Sequence, residues 1–242
     1  SRALGDVYKR QLLRPTDSVV ATSAIAPCKS VAMLADNMII ARNILDALSR
    51  VRVAHIVNVS SDAVYPDQPV PLTEEVPPSP TTIHGVMHFA REIAFQAEGN
   101  APLAILRPSL LYGVNDPHNG YGPNRFLRLA RNGDPIVLFG EGEERRDHVL
   151  INDMAEIAYR VLLHESTGVL NVATGVVASF ADIAKQIIDI AASTSIIHSS
   201  TRIGPVPHNG YRPFDISACK IAFPDFVFRG LSEGLLIVKK QG

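Results

Sequence analysis

The sequence is poor in several features that mark particular classes of protein. Cysteine occurs only as Cys28 and Cys219, which are far apart and have no His or Cys neighbours at metal-binding spacing. This usage argues against a disulfide framework and fits a reducing, cytoplasmic location. The apolar runs are too short and too interrupted to cross a bilayer, so no membrane is expected among the partners.

An excess of charge of one sign is also missing. The 242 residues include 23 basic and 24 acidic side chains, which gives a net charge of −1, and there is no basic stripe. Nucleic acid is therefore not expected as a partner. The hydrophobic content of 46% is enough for one substantial core, or for one core with a smaller appended domain.

The first residues differ in character from those that follow. Residues 1–11, SRALGDVYKRQ, begin without Met, are polar and contain no apolar core of a signal peptide. They resemble the translation of a sequencing-library adaptor, so we expect them to be an artefact and leave them out of the fold prediction. On this hypothesis the native sequence in hand starts at Leu12 and is truncated there.

Strands and helices alternate in the predicted pattern of the first half. β-rich apolar runs suit parallel strands, the first two of them buried, and apolar residues at helical spacing predict two helices between them. A Pro-rich segment at 65–80 is expected to be a loop. The strands are predicted at 18–24, 54–61 and 103–113, and the helices at 33–50 and 82–97. This rhythm predicts βαβ crossovers on a parallel sheet.

After Gly113 the pattern becomes one of shorter elements. We expect a loop, a short basic helix at 125–133, two strands within 135–151 and a strand at 169–175, each followed by polar or helical segments. The predicted organisation is therefore a larger domain at 12–113 and a smaller α/β lobe at 114–242.

Two histidines lie one helical turn apart in the middle of the chain. In TTIHGVMHFARE, residues 81–92, His84 and His88 belong to an amphipathic run. The spacing suits a metal pair, an acid–base pair, or two ordinary residues near a pocket. Because there is no HExxH motif and no third ligand can be identified, we expect no metal.

Several segments together carry a family resemblance. The segment VNVSSDAVYPDQPVPLTEEVPPSPTTIHGVMHFARE is followed by LRPSLLYG, PIVLFGEGEERRDHVLINDMAE, GVLNVATG and RPFDISACKIAFPDFVFRGLSEGL. In this order they resemble the short-chain dehydrogenase/reductase superfamily, in its extended branch of NAD-dependent epimerases and dehydratases acting on nucleotide sugars. The resemblance spans about residues 18–236. It implies a doubly wound parallel Rossmann-type sheet, here without its first βαβ unit, and a smaller C-terminal α/β substrate lobe.

The resemblance also assigns catalytic roles by position. Ser61 matches the family's Ser at a strand end, while His84 and His88 stand where the family has its catalytic Tyr and Lys. His84 is implied as the acid–base group and His88 as the residue beside the nicotinamide ribose. Asp62 matches the first of the two acids of sugar dehydratases, but Ala63 replaces the second, which favours an epimerase or reductase. Asp62 as a loop cap is the alternative.

The implied cofactor is NAD or NADP. The resemblance places His88, Ser60, Asn37 and Pro108 on the cofactor side, although Asn37 is equally explained as a polar residue satisfied by nearby backbone. The glycine-rich phosphate loop is absent, since residues 6–84 contain no glycine and a pyrophosphate cradle needs them. The choice between NAD and NADP is therefore left open.

The implied substrate is a nucleotide sugar. Asn124, Arg146 and Arg212 fall where relatives contact the diphosphate, and guanidinium groups suit phosphate oxygens. For each arginine a salt bridge with Asp147 or Asp215 is the alternative. The family often pairs through two long helices, so the helices at 33–50 and 82–97 are candidates for a homodimer interface.

The predicted function is that of an NAD(P)-dependent nucleotide-sugar epimerase or related oxidoreductase, with the usual Tyr-x-x-x-Lys replaced by His84-x-x-x-His88. The alternative is a catalytically degenerate member of the family that binds a nucleotide or a partner protein. Because both chemical residues of the helix are exchanged, the sequence leaves these two functions open.

Overall fold

The computed structural model describes residues 12–114, 116 and 119–241, so the adaptor-like residues 1–11 and His118 lie outside the described part. The chain divides into two compact units, each made of segments that are distant in sequence. The first unit consists of the residues up to Pro66, Glu74–Pro108 and Glu156–Asn171. The second consists of Asp67–Thr73, Ser109–Ala155 and the residues from Val172 onward.

Strands and helices alternate along most of the described chain. The strands are β1 (Ser18–Ala21), β2 (His55–Val59), β3 (Leu103–Pro108), β4 (Leu110–Tyr112), β5 (Ile136–Phe139), β6 (Arg145–Leu150), β7 (Gly168–Val172), β8 (Val177–Ser179), β9 (Ile197–Ser200) and β10 (Tyr211–Arg212). The helices are α1 (Val31–Leu48), α2 (Ile83–Glu98), α3 (Pro123–Asn132), α4 (Ile151–Leu163), α5 (Phe180–Ala191), α6 (Ser217–Ala222) and α7 (Leu231–Gln241). Two 3-10 helices are η1 (Asp62–Val64) and η2 (Pro207–Gly210).

The first unit is built on a sheet with the strand order β1-β2-β3-β7. The strands β1 and β2 pair in parallel, and so do β2 and β3. Four of the five residues of β2 are buried, as expected for a strand covered on both faces. The predicted α/β, Rossmann-type fold with a parallel sheet is confirmed.

The strand β1 differs from its prediction as a buried strand. It pairs only with β2 among the described strands, and it is shorter than the apolar run that predicted it. Val20 is 37% exposed, while Ala21 is buried. An apolar run in the sequence does not show whether a strand has neighbouring strands on both sides or on one side only.

The helices α1 and α2 pack against each other, and each begins at a hydroxyl cap. Ser30 accepts a hydrogen bond from the Met33 N–H at 3.2 Å, and Thr82 accepts one from the Gly85 N–H at 3.1 Å. Their inner faces contribute to one core with the sheet. That core contains Ala21, Ala41, Leu45, Leu48, Val53, Ile56 and Phe95.

The second unit contains two small sheets. In one, β6 lies between β10 and β4, both parallel to it, and also pairs with the antiparallel β8. In the other, β5 and β9 are parallel. The helices α3, α5 and α7 cover an apolar core. Its largest members are Tyr112, Phe126, Leu127, Ile136, Leu138, Leu150, Phe180, Ile183, Ile187 and Leu235.

The single strand predicted at 103–113 is divided into β3 and β4 at Ser109. The Ser109 hydroxyl donates to Oδ1 of Asp147 at 2.9 Å, and its N–H donates to the Val172 carbonyl at 3.0 Å. The interruption is therefore stabilised by bonds to residues far away in sequence. No helix in the described residues is long and apolar enough to cross a membrane.

Candidate functional site

The candidate site lies in the first unit, where the chain leaves β2 and enters η1. The first turn of α2 packs against this segment at Gly85. A Cβ atom on Gly85 would lie 2.1 Å from the Ala63 carbonyl oxygen and 2.8 Å from Cβ of Pro80. Only glycine permits this approach, which brings His84 to the segment that holds Asp62.

His84 accepts a hydrogen bond from the protein backbone. Its Nδ1 lies 3.3 Å from the Cys28 N–H donor, in the segment between β1 and α1. The rings of His84 and His88 meet edge to face, with centroids 4.7 Å apart and an interplanar angle of 86°. Burial lowers the pKa of His84 below its ordinary value, and the Asp62 carboxylate partly opposes this shift. His84 is thus neutral near pH 7.

His88 is deeply buried and uncharged. It is 7% exposed, and its Nδ1 has no hydrogen-bond partner in the part of the chain that the structure describes. Burial lowers its pKa to about 3, with further lowering by His84 and Arg91 and an opposing effect of Asp62. His88 therefore supplies an imidazole to the site and no positive charge.

Ser61 and Asp62 continue from the end of β2. Ser61 caps η1, since its hydroxyl accepts from the Ala63 N–H at 3.2 Å, and it lies 3.4 Å from Oδ1 of Asp62. Ser61 is half-buried and Asp62 is buried. The structure thus brings together three of the predicted catalytic groups, Asp62, His84 and His88, with Ser61 beside them.

Ser60 faces a different environment. Its hydroxyl donates to Oε1 of Glu92 at 2.5 Å, and the same carboxylate receives two hydrogen bonds from Arg107. All three side chains are buried. Ser60, predicted on the cofactor side, is therefore engaged within the protein.

The same polar network extends to Tyr65. The Arg107 guanidinium lies over the Tyr65 ring, 4.8 Å from its centroid, and the Tyr65 hydroxyl donates to Oδ1 of Asn171 at 2.8 Å. The Asn171 N–H donates to Oε1 of Glu74 at 2.8 Å. This chain of contacts fixes the residues around η1, and no local sequence pattern reveals it because its members are dispersed along the chain.

The side chains of Asn37 and Pro108 are also buried. The Asn37 amide donates to the carbonyls of Ile25 and Met33 at 3.0 and 2.8 Å, and its Oδ1 accepts from the Ile25 N–H at 2.8 Å. These bonds match the alternative explanation of Asn37, in which nearby backbone groups satisfy its side-chain amide. Pro108 is buried as the last residue of β3.

Arg91 is an unusual buried cation that the sequence analysis did not single out. It is 1% exposed and donates to the carbonyls of Ser23 and Ala21 at 2.9 and 3.5 Å and to Oδ1 of Asn58 at 3.4 Å. No carboxylate pairs with it among the described residues, and its Nε has no partner there. The signal in the sequence is its position three residues after His88, on the same helix face.

The predicted phosphate-binding arginines lie side by side in the second unit. Arg146 on β6 and Arg212 on β10 are partners in the strand register, and both are buried. Arg146 approaches Glu144 at 3.4 Å, and Arg212 pairs with Asp67 at 2.9 Å. In these two ion pairs the carboxylate is therefore neither Asp147 nor Asp215, the alternative partners expected from the sequence.

Asp67 also contacts His208 of η2. Nδ1 of His208 lies 2.5 Å from Oδ1 of Asp67 and 3.0 Å from Nη1 of Arg212. Asn124 is a separate case, because its Oδ1 accepts from the Gly113 N–H at 3.1 Å and so stabilises the loop before α3.

No group of three or more His, Cys, Asp or Glu side chains with suitable placement occurs in residues 12–114, 116 and 119–241. Cys28 and Cys219 are both buried.

Comparison with known proteins identifies the family. The model of the NAD dependent epimerase/dehydratase family matches residues 19–173, which is more than half of the chain. The chain belongs to this family.

An uncharacterized UDP-glucose epimerase, YtcB of Bacillus subtilis, is 25% identical over 192 residues, which cover 77% of this chain and 60% of that protein. The dTDP-L-rhamnose 4-epimerase of Burkholderia thailandensis is 30% identical over 141 residues, or 54% of this chain and 39% of that protein. The chain thus spans only part of the length of either relative.

Solved structures share the fold. The UDP-glucuronic acid 4-epimerase of Bacillus cereus, in complex with UDP-glucuronic acid and NAD, superposes with a TM-score of 0.82 at 20% identity, covering 97% of this chain and 79% of that chain. The UDP-glucose 4-epimerase of Thermus thermophilus, in complex with NAD, gives a TM-score of 0.82 at 22% identity, covering 99% and 81%. At these identities the similarity establishes the fold.

Proposed function

We propose that the protein is an NAD(P)-dependent nucleotide-sugar epimerase or related oxidoreductase in which His84 replaces the usual catalytic tyrosine. The observation that carries this proposal is the contact between the rings of His84 and His88 next to Asp62, beyond the carboxyl end of β2. In open α/β sheets, ligands bind outside the carboxyl ends of the strands. The family membership and this location support an enzyme of the isomerase or oxidoreductase class.

The cofactor assignment rests partly on orphaned polar atoms. Three buried atoms near the ends of β1 and β2 have no partner among the described residues: Nδ1 of His88, Nδ2 of Asn58 and Nε of Arg91. Such atoms fit a hydroxyl-rich ligand such as a ribose, because unsatisfied buried groups are unfavourable. When bound, the nicotinamide supplies hydride transfer. No glycine precedes Gly85 in the described residues, so the pyrophosphate loop is not represented there.

Within this proposal the cofactor residues have different tasks. His88 offers its unpartnered Nδ1 to the ribose, and Pro108 contributes the end of β3. Ser60 and Asn37 act by holding the backbone, since their polar atoms are already bonded within the protein. Residues 12–113 would form the dinucleotide-binding part, and residues 114–242 the substrate lobe.

The proposed substrate is a nucleotide sugar. The UDP-glucuronic acid 4-epimerase of Bacillus cereus was solved with UDP-glucuronic acid, and this supports the same substrate class here. Arg146 and Arg212 place two guanidinium groups on neighbouring strands, which suits a diphosphate. We assign Asn124 to the loop that completes this region.

We propose that the protein forms a homodimer and that it is located in the cytoplasm. On α1, Val31 and Ile39 are 74% and 42% exposed, and on α2, Val86 and Ile93 are 40% and 49% exposed. Exposed apolar side chains on two neighbouring helices suit a helical interface. Sedimentation of the protein and of a Val86→Glu/Ile93→Glu variant tests it. A monomeric wild-type protein would contradict the dimer.

A degenerate, non-catalytic function is the second candidate. The neutral state of His88 favours it, because a lysine at this position would carry a fixed charge. Changing His84→Tyr and His88→Lys together separates the candidates. Loss of activity in this double variant supports histidine-based chemistry, whereas a gain of activity indicates a degenerate site.

Binding measurements test the main proposal first. Titration calorimetry with NADH and NADPH, with and without UDP- and dTDP-sugars, should give saturable dinucleotide binding that a nucleotide sugar enhances. The His88→Phe variant should weaken this binding, while His198→Phe, at an exposed position, serves as a matched control. No binding of either dinucleotide by folded protein would refute the proposal.

A further inference from the structure

The hydrogen bond at His84 fixes which ring nitrogen carries the proton. A backbone N–H group can only donate, so Nδ1 of His84, 3.3 Å from the Cys28 nitrogen, must present its lone pair. In a neutral imidazole the single proton then resides on Nε2. His84 is therefore an N–H donor at Nε2, and it has no free acceptor nitrogen.

The segment that imposes this tautomer is itself held in place. The Cys28 side chain is buried, and its thiol lies 3.7 Å from the Ser30 carbonyl as a weak donor. Three residues before Cys28, both backbone groups of Ile25 are bonded to the Asn37 amide. Anchors on both sides of Cys28 thus keep its N–H directed at His84.

The Nε2 side of His84 is available to a ligand. His84 is half-buried, and Nε2 has no hydrogen-bond partner among the described residues. The group that faces His84 from η1 is Asp62, and the group on its own helix is His88. The neighbouring carboxylate is an acceptor and the neighbouring imidazole is neutral, so Nε2–H of His84 is a hydrogen-bond donor available to a ligand.

We propose that His84 acts as a neutral hydrogen-bond donor to a carbonyl oxygen, so that the site takes the keto form of a nucleotide sugar and favours its reduction. The inference rests on the proposed function for its cofactor and its nucleotide part. A base that removes a proton from a sugar hydroxyl needs a free lone pair, which His84 lacks in this arrangement. A neutral histidine that polarises a carbonyl is an established catalytic device.

Reduction of a ketone forms one C–H bond with a hydride, and the π electrons of the C=O bond move to oxygen. A reduced nicotinamide, when bound, would supply the hydride. The Nε2–H of His84 would donate a hydrogen bond to the oxygen as its negative charge develops, and the alkoxide would take its proton from water, which releases hydroxide to the solvent.

The tautomer can be measured without any ligand. We expect ¹⁵N-labelled histidine spectra of the protein at pH 7 to show His84 with a protonated Nε2 and an unprotonated Nδ1. The resonance is assigned by its loss in His84→Gln. A protonated Nδ1, or a rapidly exchanging mixture of tautomers, would overturn the proposal irrespective of the enzyme's activity.

Ligand preference provides the second test. The affinities for a nucleotide 4-ketosugar and for the corresponding nucleotide sugar with a hydroxyl are compared by calorimetry in the presence of NAD⁺. One lost hydrogen bond to a donor corresponds to roughly a 10-fold change, so the ketosugar should bind about 10-fold more tightly. His84→Gln, which keeps an N–H donor, should preserve the preference, and His84→Leu should abolish it.

The outcomes separate this inference from the proposed function. A preference for the hydroxyl form, or an equal affinity in all three proteins, would overturn the inference while leaving the proposed function standing. If neither sugar binds to folded protein, the proposed function and the ketosugar assignment both fail, and only the tautomer of His84 is retained.

Discussion

Arg107 holds the Glu92 carboxylate with two hydrogen bonds, from Nε to Oε1 at 2.9 Å and from Nη2 to Oε2 at 2.6 Å, where both side chains are buried. Removing one partner leaves a buried charge without compensation, which costs about 3–5 kcal/mol. We therefore expect Arg107→Met to lower the free energy of unfolding by about this amount in urea titrations. The double variant with Glu92→Leu should recover part of the loss. A loss below about 1 kcal/mol in Arg107→Met would contradict the prediction.

Arg91 should respond differently, although it is equally buried. Its guanidinium contacts only carbonyl-type oxygens of Ala21, Ser23 and Asn58, so its removal leaves no unpaired carboxylate. Arg91→Met should therefore destabilise the protein less than Arg107→Met, by at least about 1 kcal/mol in the same urea titrations. Equal losses in the two variants would show that an unrecognised anion pairs with Arg91.

The close approach at Gly85 predicts a steric effect. An added Cβ would lie 2.1 Å from the Ala63 carbonyl oxygen, and this neighbour is backbone that cannot turn aside. Overpacking of this kind costs about 1–3 kcal/mol, so Gly85→Ala should lower the unfolding free energy by at least that much. Gly230→Ala is the matched control, because nothing lies within 4 Å of its added Cβ. A neutral Gly85→Ala would mean that η1 and α2 separate easily.

The sequence predicted the parts of this region that depend on local pattern. The apolar spacing predicted α2 to within one residue at each end, and the strand–helix rhythm and the resemblance predicted the parallel sheet. The sequence did not reveal the partners of buried charges. Asp67 and Arg212 are 145 residues apart, and no pattern of either segment links them. The proton position on His84 likewise depends on a backbone group 56 residues away. Long-range contacts of this kind are set by the packed chain.

The buried histidine His88 makes stability depend on pH. Its pKa falls from an ordinary 6.5 to about 3 on folding, so the unfolded chain binds one more proton between these values. Stability from this group is complete above pH 6.5 and declines as the pH falls toward 3, with a slope of up to about 1.4 kcal/mol per pH unit. Urea titrations at pH 7.5, 6 and 5 should show a shallower decline in His88→Gln than in the wild-type protein. An identical decline in both proteins would contradict the neutral state of His88.

Arg146 and its neighbour Arg145 offer a matched pair for the substrate assignment. Arg146 is buried beside Arg212 and Glu144, whereas Arg145 is exposed and stacks on Tyr211. A hydrogen bond to a charged group contributes about 1.5–3 kcal/mol, so Arg146→Gln should weaken the binding of a UDP-sugar about 10- to 100-fold. Arg145→Gln changes the same charge and should leave the affinity within about 2-fold, since exposed charges contribute little. The two affinities are measured by calorimetry with the unfolding midpoints of both variants as a check on folding. If Arg145→Gln weakened binding as much as Arg146→Gln, the effect would be one of net charge, and Arg146 would lose its assignment as a phosphate contact.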